Sequence, residues 1–274
     1  MKDIEIDLLK RFSEYLNGDL GITINQINKV KKSGVSDKFA LKILLEEYLG
    51  ENELFEKYYD EIIKELDESD YINNDYYKNI KINNKRYDNW IVKNTKYKPY
   101  ELFVYDDFKM IDDYIIPQIG YFKKPFPYLG IYQDDRLWMS ITPNEINTMK
   151  KPIEKAHGRV LTLGLGLGYF SYMVSNKREV NSITIVEKDQ KVIDLFMKAI
   201  FPFFKNKIKV EIVKQDAYQY IKYVNDNEFD YIFVDIHHDA SDGIKVYNEI
   251  KKNTKKIKNT EIDFWIYDTI KYYL

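Results

Sequence analysis

Three glycines at alternate positions mark the end of a predicted strand and could let a bound molecule approach the backbone. Gly164, Gly166 and Gly168 lie in the segment RVLTLGLGLGYF, residues 159–170. Glycine loses more conformational freedom on folding than other residues, so such a cluster indicates a backbone with a special function. The spacing is close to the nucleotide-binding pattern G-x-G-x-x-G but does not match it. Tight packing of a strand-to-helix turn is the alternative explanation.

Acidic side chains follow the next three strands of the same predicted series. Glu187 ends the second strand, Asp216 and Ala217 follow the third, and Asp235 ends the fourth. In open sheets of parallel strands, ligands bind beyond the carboxyl ends of the strands. A carboxylate after the second strand can accept both hydroxyls of a ribose, and an acid after the third can reach an adenine amino group. Capping of the following helix is the alternative role of Asp216.

The segment after the fourth strand adds groups that could move a proton. It reads Asp235-Ile236-His237-His238-Asp239. Asp235 could orient a donor, His238 or His237 could take a proton near neutral pH, and Asp239 could bind a cationic acceptor. We take Asp235, His238 and Asp239 as candidate catalytic residues, with an exposed loop or helix cap as the alternative. We assign no metal site, because nothing in the sequence fixes a further protein ligand.

The elements that must position these groups alternate between strand and helix over residues 142–274. This alternation predicts an α/β domain with a doubly wound, Rossmann-like parallel sheet that is covered on both faces. The predicted strands are RVLTLG, SITIVE, KVEIVK, YIFVDI and IDFWIY. The predicted helices are NEINTMKKPIEKA, YFSYMVSN, QKVIDLFMKAI, AYQYIKYV and DGIKVYNEIKKN.

Two further regions precede this domain. Residues 1–98 are predicted as a helical N-terminal region, in which one helix begins after Ser36 and ends at Gly50. Its last part, from residue 71, is polar and Asn-rich and is interpreted as irregular structure or a linker. Residues 99–141 are predicted as a small antiparallel β segment, with an edge or break at Pro117.

Composition limits the classes of partner. Acidic and basic residues nearly balance, 44 against 42, so we expect no bulk attraction to nucleic acid or to a membrane surface. Without cysteine the chain has no disulfides or thiolate sites. The charged start MKDIEIDLLKRF lacks a signal-peptide core, and we predict a cytoplasmic protein. We expect the helical N-terminal region to cover the site or to form a homodimer contact.

The motifs together resemble a known superfamily. The run GRVLTLGLGLGYF…ITIVEKDQKVIDLFMKAIFP…VEIVKQDAYQYI…FDYIFVDIHHD resembles class I S-adenosylmethionine-dependent methyltransferases, and within them the polyamine (spermidine) synthase branch. The resemblance implies that the glycine loop lies along the methionine part of S-adenosylmethionine, that Glu187 holds the ribose, and that Asp216 and Ala217 contact the adenine. The implied cofactor-binding residues are Gly164, Leu165, Gly166, Gly168, Glu187, Lys188, Asp216, Ala217 and Asp235.

One departure from the branch decides the predicted reaction. Polyamine synthases have an acid in the glycine loop, which belongs with a decarboxylated cofactor and an amine substrate, whereas this chain has Leu167. We therefore predict methyl transfer from S-adenosylmethionine to an unidentified small-molecule or peptide acceptor, with S-adenosylhomocysteine as product. The alternatives are a polyamine (spermidine-type) aminopropyltransferase and a non-catalytic or regulatory S-adenosylmethionine-binding protein.

Overall fold

The computed structural model describes residues 1–18, 21–87, 90–133 and 136–274. Two compact units are present, one made of residues 1–71, 95–128 and 142–144, the other of residues 72–94, 129–141 and 145–274. Segments distant in sequence pack together within each unit, so these units divide the chain differently from the three regions expected from the sequence. That three-part division stays a prediction.

The helices and strands are numbered in chain order. The helices are α1 (Asp3–Asn17), α2 (Ile24–Lys31), α3 (Asp37–Leu49), α4 (Glu53–Ile62), α5 (Ser69–Ile72), α6 (Asp75–Asn79), α7 (Pro143–Thr148), α8 (Lys150–Lys155), α9 (Tyr169–Ser175), α10 (Gln190–Ala199), α11 (Ala217–Tyr223), α12 (Ala240–Asn253) and α13 (Tyr267–Ile270). The strands are β1 (Ile63–Glu65), β2 (Lys85–Tyr87), β3 (Trp90–Tyr97), β4 (Phe103–Val104), β5 (Lys109–Ile111), β6 (Tyr114–Ile116), β7 (Ile119–Tyr121), β8 (Phe126–Gln133), β9 (Arg136–Ile141), β10 (Gly158–Leu163), β11 (Val180–Glu187), β12 (Val210–Lys214), β13 (Tyr231–Val234) and β14 (Glu261–Phe264).

A parallel five-stranded sheet organises the second unit. Its order is β12-β11-β10-β13-β14, and each neighbouring pair runs parallel. All five strands form where the sequence predicted them, so the mixed α/β class with a parallel sheet is confirmed. β10, which comes first of these five strands in the sequence, lies in the centre of the sheet, with β11 on one side and β13 on the other. Such a reversal of strand order opens a crevice at the carboxyl ends of the strands.

Alternation along the central strands buries both faces of the sheet. Leu161 and Leu163 share a core cluster with Ile221 of α11 and Ile250 of α12. Phe233 lies between two members of that cluster in β13 and therefore points to the opposite face. There its ring stacks on Phe170 of α9, with ring centroids 4.3 Å apart. Strands buried on both faces explain the nearly continuous apolar runs in the sequence.

The helix predicted over residues 144–156 is divided in two. α7 ends at Thr148 and α8 begins at Lys150, with Met149 between them. Pro152 lacks an N–H to donate to the Thr148 carbonyl, and its ring would clash with that carbonyl in a continuous helix. The division leaves Glu145 on α7, a short helix of its own that precedes the glycine loop.

Much of the Asn-rich stretch from residue 71 that the structure describes forms helices and strands, contrary to its interpretation as irregular structure or a linker. Asn74 caps α6 by accepting a hydrogen bond from the Tyr76 N–H. Alternate residues at the start of strand β3 are buried, as Trp90 and Val92 show. This strand belongs to a four-stranded sheet with the order β2-β3-β8-β9. The many asparagines and lysines in this stretch concealed that alternation.

Helices α1 to α4 dominate the first unit. Their core includes Leu8, Phe12 and Leu41. The predicted helix boundaries are confirmed at α3, where the Ser36 side chain accepts a hydrogen bond from Phe39 N–H and Gly50 follows the last turn with φ of 71°. Strand β6 ends before Pro117 as predicted, and β7 pairs with β1 and β4. Among the described helices, none is long and apolar enough to cross a membrane.

The stacked pair between α9 and β13 gives a stability test for the second unit. We expect Phe233→Ala to lower the free energy of unfolding by about 3–5 kcal/mol, because it leaves a cavity under Phe170. All three tryptophans, Trp90, Trp138 and Trp265, lie in this unit, so denaturant unfolding followed by their fluorescence reports on it. The control is Phe203→Ala, since Phe203 is 37% exposed. Equal losses in the two variants would contradict the expectation.

Candidate functional site

A cavity of about 690 Å³ lies at the carboxyl ends of the parallel strands in the second unit. Its walls come from the turns after β10, β11, β12, β13 and β14, together with β9 and the helices α7 and α9. The predicted residues that line it are Gly164, Leu165, Gly166, Glu187, Lys188, Asp216, Ala217, Asp235, His237 and His238. Gly168 and Asp239, also predicted for the site, are not among its lining residues.

The three glycines of the loop differ in what surrounds them. A Cβ on Gly164 would lie 1.9 Å from the Asp235 carbonyl oxygen, and one on Gly168 would lie 2.4 Å from Phe196 Cε2. Those two positions are therefore fixed by packing and by their positive φ angles. Gly166 has φ of 51°, and a Cβ there would meet nothing within 4 Å. Of the three, Gly166 alone has free space beside its backbone, as close approach of a ligand requires.

The loop is held from α6. The buried Tyr76 hydroxyl donates to the Leu167 carbonyl oxygen at 2.7 Å. Asn74 Nδ2 donates to the Tyr169 hydroxyl at 2.8 Å. Both residues come from the stretch interpreted as a linker, so sequence reasoning missed them. The Leu167 side chain is buried and lines the cavity.

Two predicted acids support the turns in which they lie. Glu187 accepts hydrogen bonds from the N–H groups of Leu165, at 3.3 Å, and Asp189, at 2.8 Å. Asp216 caps α11 by accepting from Gln219 N–H at 3.0 Å. Asp216 is thus a helix cap, and its role toward a ligand stays a prediction. Since both side chains also line the cavity, their free lone pairs can still accept bonds from a ligand.

Two half-buried carboxyls face the cavity with raised pKa values. Burial, and after it the negative charge of Glu187, raises the pKa of the Asp235 carboxyl to about 7. Burial also raises the pKa of Glu145 well above its ordinary value, and Asp235 contributes to that shift. A carboxyl poised near neutral pH can take up and release a proton under physiological conditions.

The two histidines after β13 occupy different environments. His237 is buried, its Nε2 lies 3.1 Å from the Trp265 carbonyl oxygen, and burial lowers its pKa. Its Nδ1 has no hydrogen-bond partner in the part of the chain that the structure describes. His238 is exposed at the cavity, with its ring edge against Trp138 at a centroid distance of 5.7 Å. Asp235 is half-buried and His237 is buried, so His238 is the exposed one of the three candidates that line the cavity.

Asp239 serves as the N-cap of α12. Its Oδ1 accepts from the Ser241 N–H at 2.7 Å and from the Ser241 hydroxyl at 2.6 Å. These bonds, led by that from the hydroxyl, outweigh burial and lower the pKa of Asp239. The structure therefore places this carboxylate in a helix cap rather than in the cavity wall.

Sequence reasoning also missed two aromatic residues of the cavity. Trp265 follows β14, the fifth strand, and its Nε1 donates to Thr148 Oγ1 at 2.9 Å. The predicted strand IDFWIY extends past the observed end of β14 at Phe264, so sequence reasoning placed Trp265 inside the strand rather than at its carboxyl end. Trp138 lies on β9 and contacts Trp90 edge to face. No sequence pattern marked it.

The cavity is acidic. Lys188 is the one lysine or arginine among its lining residues in the described chain. The carboxylates in its wall are those of Glu145, Glu187, Asp189, Asp216 and Asp235. Walls of one sign concentrate the field inside a cleft, so this cavity favours a cationic ligand.

The comparison with protein families bears on the reaction. Residues 139–256, less than half of the chain, match the family model of the spermine/spermidine synthase domain. The match includes the glycine loop and the acids that line the cavity, and it confirms the resemblance to the spermidine synthase branch. It contradicts the predicted methyltransferase, because the transferase it supports is spermidine synthase-like. The prediction of methyl transfer, which depended on Leu167, was wrong.

Solved structures resemble parts of the chain. Spermidine synthase from Thermotoga maritima is 18% identical, with a TM-score of 0.36 over 50% of this chain and 49% of that chain. Spermidine synthase in complex with the transition state analogue AdoDATO is 19% identical, with a TM-score of 0.38 over 50% and 51%. A conserved hypothetical protein of Streptococcus pyogenes is 22% identical, with a TM-score of 0.31 over 38% and 62%. These matches span about half of each spermidine synthase.

No curated protein matches the sequence significantly. The functional argument therefore depends on the domain match and on the chemistry of the cavity.

The raised pKa of Asp235 predicts a pH-dependent stability. Its folded-state pKa of about 7 exceeds the ordinary value of 3.8, so the folded chain binds more protons between these values. The free energy of unfolding should then fall as pH rises from about 4 to about 7. Asparagine cannot ionise, and we expect Asp235→Asn to be more stable than the natural chain by about 1–2 kcal/mol at pH 8, after allowance for partial contact with water.

Denaturant unfolding at pH 5 and pH 8 measures this difference through tryptophan fluorescence. Asp194→Asn is the matched control, because Asp194 is exposed on α10. Its stability relative to the natural chain should not change between the two pH values. If the free energy of unfolding varied with pH in the same way for Asp235→Asn and the natural chain, ionisation of Asp235 would not destabilise the folded protein.

Proposed function

We propose that this chain is an aminopropyltransferase of the polyamine-synthase type, which uses decarboxylated S-adenosylmethionine and a diamine as substrates. The observation that carries the proposal is the acidic cavity, whose acids all lie in the segment that matches the spermine/spermidine synthase domain. Both substrates are cations, and an acidic cavity attracts them. We also infer a Rossmann-like class I methyltransferase fold, which the strand order with β10 in the centre supports.

The loop and the strand ends fit the nucleoside part of the donor. Gly166 leaves space beside its backbone, Glu187 faces the cavity after β11, and Asp216 and Ala217 face it after β12. We assign to them the contacts to the sulfonium chain, ribose and adenine that the resemblance implies. The same groups suit S-adenosylmethionine, the cofactor predicted from the sequence. The decarboxylated form suits the cavity better, since it brings no further carboxylate into an acidic space.

Aminopropyl transfer makes two demands on the protein. The amine nitrogen forms a bond to the aminopropyl carbon while the carbon–sulfur bond breaks, its electron pair passes to sulfur, and the nitrogen loses a proton. The protein must hold the amine in line with that carbon and must accept the proton. Asp235 lies in the cavity wall with a pKa of about 7, so it can act as the proton acceptor near neutral pH.

The activity test uses decarboxylated S-adenosylmethionine and putrescine. We expect the natural chain to form spermidine and 5′-methylthioadenosine in equal amounts, measured by chromatography. Asp235→Asn should lower kcat/KM by about 10²–10⁴-fold, because it removes the proton acceptor. Asp194→Asn, which neutralises an exposed acid of α10, should keep the activity. Absence of both products with every diamine tried would overturn the proposal, as would methylation of an acceptor by S-adenosylmethionine.

A binding test addresses the loop. Gly166→Val should abolish binding of the decarboxylated donor in calorimetry, because the branched side chain would fill the space beside the backbone. Gly34→Val is the matched control. Gly34 has φ of 86° and equally open surroundings, so it imposes similar backbone strain, but it does not line the cavity. Circular dichroism checks that both variants fold. Unchanged binding by Gly166→Val would remove this position from the site.

A further inference from the structure

The cavity contains a carboxylate that no protein group satisfies. Glu145 lies on α7, half-buried in the cavity wall. Its side chain has no hydrogen bond or ion pair with any of residues 1–18, 21–87, 90–133 and 136–274. The groups that act on it electrostatically are Asp235 and Tyr169. An acid left unpaired beside another acid costs stability, which a bound cation would offset.

The glycine loop lacks a charge at the position where an acid was expected. Leu167 lines the same cavity, but its side chain is apolar and 4% exposed, and its carbonyl is occupied by Tyr76. The loop therefore cannot repel the carboxylate that distinguishes S-adenosylmethionine from its decarboxylated form. Glu145 offers an ionisable carboxyl to that cavity from a different element, α7, and a cation bound beside it would favour its charged form.

We propose that Glu145 is the specificity-determining residue of this site: its carboxylate takes the place of the missing loop acid and excludes donors that carry a carboxylate of their own. This inference rests on the proposed function, since it concerns the choice between two forms of one donor. A donor with an ammonium group and no carboxylate meets the charge of Glu145 favourably. A donor with the carboxylate adds a third negative group beside Glu145 and Asp235, which is repelled.

Calorimetric affinities for the two donors test the inference without need of turnover. The measurements are made at pH 8.5, because burial raises the pKa of Glu145 and its charge is what is tested. We expect the natural chain to bind the decarboxylated donor at least about tenfold more tightly than S-adenosylmethionine. In Glu145→Gln that ratio should fall by about tenfold, chiefly through tighter binding of S-adenosylmethionine.

Two further variants separate charge from shape. Glu154→Gln removes an exposed acid of α8 that does not line the cavity, and its ratio should match that of the natural chain. The double variant Glu145→Gln, Leu167→Asp returns a charge to the cavity from the loop and should restore the preference. A merely structural role of Glu145 would lower both affinities alike, and the double variant would not recover the ratio.

The outcomes distinguish this inference from the function on which it rests. Preference for the decarboxylated donor that persists in Glu145→Gln overturns the role of Glu145 and leaves the aminopropyltransferase standing. A natural chain that binds neither donor, or that prefers S-adenosylmethionine, overturns the proposed function and this inference with it.

Discussion

The contact between Gly164 and the Asp235 carbonyl oxygen constrains the rest of the site. β10 and β13 are neighbours at the centre of the sheet, and their carboxyl ends approach so closely that a Cβ on Gly164 would lie 1.9 Å from that oxygen. The approach places the glycine loop and the Asp235 side chain at one cavity. It also fixes where the loop can be free: Gly164 and Gly168 are held by packing, and only Gly166 between them leaves open space.

The acidic groups of the cavity lower the stability of the folded chain while they suit the proposed function. Asp235 and Glu145 are half-buried, and burial shifts both toward their neutral forms. Apolar side chains at these two positions would avoid the cost of burying ionisable groups. The proposed cationic ligand would account for their presence in the cavity at the carboxyl ends of the strands, where open α/β sheets bind ligands.

The parallel sheet was predictable because strands that alternate with helices along the chain can form few sheet topologies. Once the strands were predicted, the acids at their carboxyl ends could be assigned to one edge of the sheet. The cavity residues outside this pattern were not predictable. Tyr76 and Asn74 lie in a stretch whose composition resembles a linker, and their hydrogen bonds depend on contacts distant in sequence. The reaction was mispredicted because one residue, Leu167, was taken to decide the charge of the cavity. Glu145 lies in the cavity as well, although its helix was expected to continue through Pro152.

The hydrogen bonds from α6 make the glycine loop depend on a segment far away in the chain. Tyr76 and Leu167 are separated by 91 positions, and Asn74 and Tyr169 by 95. α6 is one short helix of five residues, whereas the sheet beneath the loop is buried on both faces. Detachment of α6 would release the loop while the strands stay paired, at a free energy below that of global unfolding. Amide hydrogens of the loop should therefore exchange with solvent through this local opening, independently of the strands that form the floor of the cavity.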